Sequence, residues 1–238
     1  MLANDRLRFI RVKIERAYKH LDELEAVVHS LGEQTLMTIR IERESETVRP
    51  VLKADPVLIY GLEIPAIAGD VVHNLRSALD HLAFQLVSAG VEAGETRPNG
   101  RWFDIQFPIL YSFANYEDKK SQVLQGAQQD AIDAIDKLKP YQGGDNRLWL
   151  LRQLDNTDKH SFIILPGENA IVGGLALHIN NPYFTSLGVP KQKRQMESTG
   201  MECLAKTEVG ISDALLPALH QLAELVSDIV TQFHRFLE

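Results

Sequence analysis

Apolar residues recur at alternating three- and four-residue steps through Leu7, Ile10, Ile14, Ala17, Leu21, Leu24, Val28 and Leu31. That spacing holds one stripe of a helix against neighbours packed at a shallow angle, and it predicts a first helix over residues 4–31, closed by Gly32. The period then shortens. Met37, Ile39 and Ile41 alternate with Thr38, Arg40 and Glu42, and Pro50 breaks the pattern, so 36–53 reads as a short hairpin or a pair of edge strands. A second long helix is predicted over 64–90, with Pro65 in the first turn, where its missing N–H has no intrahelical partner to lose.

Further along, "VEAGETRPNGR" is a loop by its Gly, Pro and Asn content, and 116–139 reads as one or two modest helices burying Ala131, Ile132, Ile135 and Leu138. Asp145 is placed to cap a helix carrying Leu148, Leu151 and Leu154, which ends in "LDNTDKH". "FIILP", "AIVGGLALHI" and "MECLAKTEV" are strand-like. Leu215, Leu219, Leu222, Val226, Ile229, Phe233 and Phe236 mark a last helix. These elements predict a single domain over 1–238: a helical bundle of three to four long helices with a small antiparallel β-sheet on one side, α+β in class, with strand insertions near 36–53 and 161–209.

Composition narrows the function. At 45% hydrophobic and 24% charged, the 238 residues suit one large core rather than a disordered chain. A formal net charge of −7 argues against a broad nucleic-acid face, though not against a small one. The single cysteine, Cys203, excludes an internal disulfide framework and fits a reducing compartment. "MLANDRLRFIRVK" lacks the apolar core of a signal peptide, and no window approaches ~18 uncharged apolar residues, so a cytoplasmic protein that does not cross a membrane is expected. Phosphate-binding glycine loops, the G-x-S-x-G elbow and C-x-x-C are all missing, which removes nucleotide-dependent and serine-hydrolase readings.

The candidate chemistry lies in the second helix. "GDVVHNLRSALDHLAFQLV" carries Asp70, His73, Asn74, Arg76, Ser77, Asp80 and His81 and no Glu or Lys, although a solvated face is normally written in those better helix formers. With Asp70 at zero and ~100° per residue, Val71, Leu75, Ala78, Leu79, Leu82 and Leu86 fall between ~80° and ~180°. The polar residues lie opposite. Asp70, Asn74, Ser77 and His81 share a line near zero, His73 and Asp80 lie near ~290°, and Arg76 flanks them at ~240°. Arg76 and Asp80, four apart, are placed to pair.

"RSALDH", an Arg and a His with four residues between, resembles the R-x4-H motif of the HEPN superfamily of helical-bundle proteins. The resemblance covers this helix and the general architecture. It implies a metal-independent RNA endonuclease of the toxin or phage-defence kind, needing no cofactor, in which two copies of the motif meet across a homodimer. Arg76 and His81 would then be the catalytic pair. His81 would move protons near neutral pH, Arg76 would hold phosphate through two hydrogen bonds, and Asp80 or Asp70 would fix a histidine tautomer. His73, Asn74, Ser77 and Asp70 would line the RNA-binding strip. Ser77 departs from the family, where a polar Asn, Asp or His often follows the arginine. The longer string around this motif, together with "LDNTDKH" far downstream, is also similar to a group of bacterial proteins, and that likeness carries no function.

Two other readings use the same residues. In one, Asp70, Asn74, Ser77 and His81 form a structural hydrogen-bonded layer in a non-enzymatic dimerising or partner-binding module. In the other, Asp70, His73 and His81 join Asp158 and His160 from "LDNTDKH", the last two pointing the same way in extended chain, to ligate zinc, iron or manganese in the bundle.

Overall fold

The computed structural model describes residues 3–31, 38–43, 50–55, 63–99, 102–160 and 211–237. Among the described residues six α-helices carry the fold: α1 (Ala3–Leu31), α2 (Glu63–Glu92), α3 (Phe113–Val123), α4 (Gln129–Leu138), α5 (Asn146–His160) and α6 (Ile211–Phe233). Short 3-10 turns at Trp102–Asp104 and His234–Phe236 accompany them.

The stripe of α1 is buried along its length, with Leu7, Ile10, Ala17, Leu21 and Leu24 excluded from solvent. They meet Leu75, Leu79, Leu82 and Leu86 of α2 and Leu219, Leu222 and Val226 of α6 in one core. Burying each such leucine contributes about 1.5–3 kcal/mol. Arg6 near the start of α1 bonds Gln85 and Glu92 near the end of α2, so the two helices run antiparallel. His220 reaches Glu25 at 2.7 Å, which sets α6 against α1. The second helix is the hub, packing on α1, α5 and α6. Its far end is closed by a backbone approach that needs glycine: a Cβ on Gly90 would stand 2.1 Å from the Gly126 carbonyl oxygen.

Among the described residues the helical body contains no strand, and this corrects the expected α+β class: the described part is mainly α, without a small antiparallel sheet against the bundle. Thr38–Arg43 (β1) and Pro50–Asp55 (β2) pair only with each other, as a two-stranded antiparallel ribbon in the connection from α1 to α2. Three alternating apolar residues support such a ladder, but two strands do not make a layer that buries a face. The strands expected over 161–209 lie outside the described residues, as does Cys203.

A second correction concerns "LDNTDKH". The α5 helix continues through it to His160, so Asp155, Asp158 and Lys159 stand on helical turns and not in extended chain. Asp145 does cap this helix, its Oδ1 accepting from the N–H groups of Arg147 at 2.8 Å and Leu148 at 3.3 Å.

Between α2 and α3 lies a segment in which Ile105, Phe107, Pro108 and Ile109 are buried and Gln106 is exposed. Among the described residues it has no strand partner beyond an isolated bridge from Leu110 to Tyr141. Buried backbone without a ladder must find its hydrogen bonds elsewhere. Beside local backbone bonds such as that from the Ile109 N–H to the Phe107 carbonyl at 2.9 Å, those bonds come from side chains of α2 and α5.

Candidate functional site

The seam between α2 and α5, with the 105–109 segment across it, gathers most of the ionisable residues of the second helix. Arg76 is only 5% exposed. Its Nη2 donates to Asp80 Oδ1 at 2.7 Å and to the Phe107 carbonyl at 2.8 Å, and Asp80 Oδ1 also accepts from the Phe107 N–H at 2.9 Å. The pair therefore satisfies both backbone groups of Phe107, as a neighbouring strand would. From α5, Arg152 donates to the Ile109 carbonyl at 2.9 Å and lies over the Tyr111 ring. Two arginines and one aspartate thus hold the 105–109 segment, which joins no sheet among the described residues.

The electrostatics follow from burial. Desolvation pushes the Asp80 carboxyl above the usual carboxylate range, and the charge of Arg76 beside it opposes that rise. Burial likewise lowers the Arg76 guanidinium, with Asp80 and Asp155 opposing, and a guanidinium so far from neutrality stays charged at pH 7.

Next to this clamp, Asp155 is buried on α5 and bonds Lys159 one turn on at 2.5 Å. Its Oδ1 lies 3.4 Å from Nδ1 of His73, near enough for attraction when the imidazole is protonated but not aligned as a hydrogen bond. Asp158 approaches α2 where Gly69 leaves room: a Cβ there would stand 2.1 Å from the Asp158 Oδ1. Its carboxyl is raised by burial and by the charges of Asp155 and Asp70.

The other flank of the helix is different. Asn74 donates back to the Asp70 carbonyl at 2.8 Å, within its own helix. The side chains of Ser77 and His81 make no hydrogen bond to another described residue, so Asp70, Asn74, Ser77 and His81 do not form the mutual layer that their alignment suggested. His81 is half-buried, and its imidazole is held below the ordinary histidine range by desolvation and by Lys13 of α1, with Asp80 opposing. Beyond it, Phe84 packs on Trp102 at 5.6 Å between ring centres.

Arg76 turns inward to Asp80 and the 105–109 segment, and His81, next to Asp80 in the chain, lies within reach of the charges of Lys13 and Asp80. His73, Asp70 and Asp158 share the α2–α5 seam, whereas His81 lies two turns away along α2. Among the described residues no group of three or more His, Cys, Asp or Glu side chains is placed to hold a metal ion, and the His160 side chain lies outside them. No described helix is long and apolar enough to cross a membrane.

Sequence reading missed Arg152, Asp155 and the buried Arg6. Each carried a signal. At ~100° per residue Arg152 and Asp155 flank Leu148 within ~40°, inside the apolar arc of their helix, where a charge must find a buried partner. Arg6, at 2% exposure, sits in the same way beside the stripe of α1. The partners across the fold were not legible: that of Arg152 is the main-chain carbonyl of Ile109, and those of Arg6 stand on another helix.

No protein-family model, no curated protein and no solved structure matches this chain.

Proposed function

We propose that this chain is a non-enzymatic dimerising or partner-binding helical module, whose R-x4-H helix serves as a structural clamp. The observation that carries this reading is the state of Arg76: nearly solvent-free, with Nη2 shared between Asp80 and the Phe107 carbonyl. A guanidinium that is to grip a phosphate must present two N–H groups to it. Releasing Arg76 for that purpose would leave the Asp80 carboxylate without its cation and the Phe107 carbonyl with only the Ile109 N–H as donor. A cytoplasmic setting belongs to the same proposal and rests on the single cysteine.

One observation favours a second reading, the metal-independent ribonuclease that the HEPN resemblance implies. His81 is partly open, and its lowered proton affinity keeps the imidazole neutral at pH 7, the form that accepts a proton from a 2′-hydroxyl. The two readings divide on one assay. Purified protein is incubated with single-stranded and hairpin RNA in EDTA, and the products are resolved on a denaturing gel. The module reading expects no cleavage above that of His81→Ala. Cleavage by the wild type that disappears in His81→Ala, at an unchanged melting temperature, overturns it.

A further inference from the structure

The outer face of α1 divides by charge. Opposite its buried stripe, Arg8, Val12, Glu15, Lys19, Asp22 and Ala26 follow four- and three-residue steps along one exposed line. The first half of this face is net cationic, Arg8, Arg11 and Arg16 outnumbering Asp5 and Glu15. The second half is net anionic, Asp22 and Glu23 outnumbering Lys19. Arg8, Arg11, Lys19 and Asp22 have no ion pair with any described residue, while Glu23 has only the exposed contact with His20 at 3.1 Å. Phe9 at 54% and Val12 at 49% exposure are large apolar groups left uncovered within the cationic half.

We propose that this face pairs with the same face of a second copy of the chain, the two α1 helices lying antiparallel about a twofold axis. The proposal rests on the dimerising reading above and names its surface. An antiparallel pair crossing near residues 15–17 sets Arg8 and Arg11 of each protomer opposite residues 20–26 of the other, where Asp22 and Glu23 stand. The same crossing sets Glu15 opposite the Arg16–Lys19 turn. Arg8, Arg11 and Glu15 then meet opposite charge, twice by symmetry, as an isologous interface requires. A parallel pair would oppose like charges throughout. A second copy fits better than a long polyanion, because the net charge of −7 repels anything that extends past the short cationic half.

The exposed charges and the small apolar contribution of Phe9 and Val12 make this a weak, salt-sensitive dimer that dissociates on dilution. Sedimentation equilibrium of the full chain at low and high salt tests it. Wild type is expected to dimerise at low salt, with the dissociation constant rising at least tenfold at high salt. Arg8→Glu with Arg11→Glu makes the face acidic throughout, and Asp22→Lys with Glu23→Lys makes it basic. Each doubly substituted protein alone is expected to be monomeric with an unchanged far-UV spectrum, and an equimolar mixture of the two to recover the dimer. A wild type that stays monomeric overturns both this pairing and the dimerising reading. A dimer that persists in each reversed protein, or a mixture that stays monomeric, overturns the pairing through α1 and leaves that reading in place.

Discussion

The two flanks of α2 carry polar residues from the same short stretch, and the fold treats them oppositely. Toward α5, Arg76 and Asp80 are drawn into the interior and bound to the backbone of Phe107. Toward α1 and solvent, Asn74 bonds only its own helix, and Ser77 and His81 reach no described side chain. The difference comes from what faces each flank. Opposite Arg76 runs a segment whose carbonyls and amides join no sheet among the described residues, and buried backbone of that kind costs about 1–3 kcal/mol per unsatisfied group. Opposite Ser77 there is no such demand. A polar helix face is thus two structures in one, and a motif that spans both flanks, as R-x4-H does, has its halves assigned to different work.

The contrast between the flanks is most exposed to test at the clamp. Asp80→Ala leaves the Arg76 charge buried without its carboxylate and the Phe107 N–H without its acceptor. Stranding one partner of a buried pair costs about 3–5 kcal/mol, and since the Asp80 side chain is 36% exposed, the expected loss is nearer about 2–3 kcal/mol. Thermal unfolding should move down by roughly 5–10 °C for a chain of this size. A melting temperature within a degree of wild type would show that the clamp does not hold the fold.

On the other flank the expected effect is smaller and depends on pH. The folded protein holds His81 below its ordinary value near 6.5, so in the window beneath 6.5 the unfolded chain binds more protons than the folded one. The stability contributed by keeping this imidazole neutral is present above that window and is lost as pH falls through it. Because the ring is partly solvated, the loss stays below about 1 kcal/mol. His81→Gln should therefore flatten the slope of melting temperature against pH between 7.5 and 5 while leaving the value at 7.5 nearly unchanged. Parallel slopes for the two proteins would contradict this.

How far the sequence reveals the molecule depends on the same division. The stripes of α1, α2 and α6 are legible because burial of a helix face repeats in register with the chain, and Leu7–Leu24 or Leu75–Leu86 need no knowledge of a partner. Asp145 is legible as a cap because the group it satisfies is two residues away. The clamp is only half legible. The i, i+4 spacing of Arg76 and Asp80 announces a pair, but their acceptor and donor belong to Phe107, more than twenty-five residues on, and a main-chain carbonyl leaves no mark in the sequence. The alternation of Ile105, Phe107 and Ile109 is the nearest signal, and it reads as a strand without saying that side chains would replace the neighbour. The expected sheet failed for a related reason: alternation indicates an extended chain and says nothing about whether a third strand exists to make a layer. Arg76 and His81 are grouped by the spacing of the R-x4-H motif, and the contact of Arg76 with the Phe107 carbonyl is not encoded within the helix.

A double-mutant cycle on Arg76 and Asp80, read by chemical denaturation, tests the structural role of the motif most directly. If the pair is a clamp on the 105–109 segment, Arg76→Ala and Asp80→Ala each destabilise strongly, and the double variant loses less than their sum by at least about 1 kcal/mol, because the second substitution removes a charge that the first had stranded. If Arg76 is instead held for chemistry and contributes nothing to folding, the single variants stay within about 0.5 kcal/mol of wild type and their effects simply add.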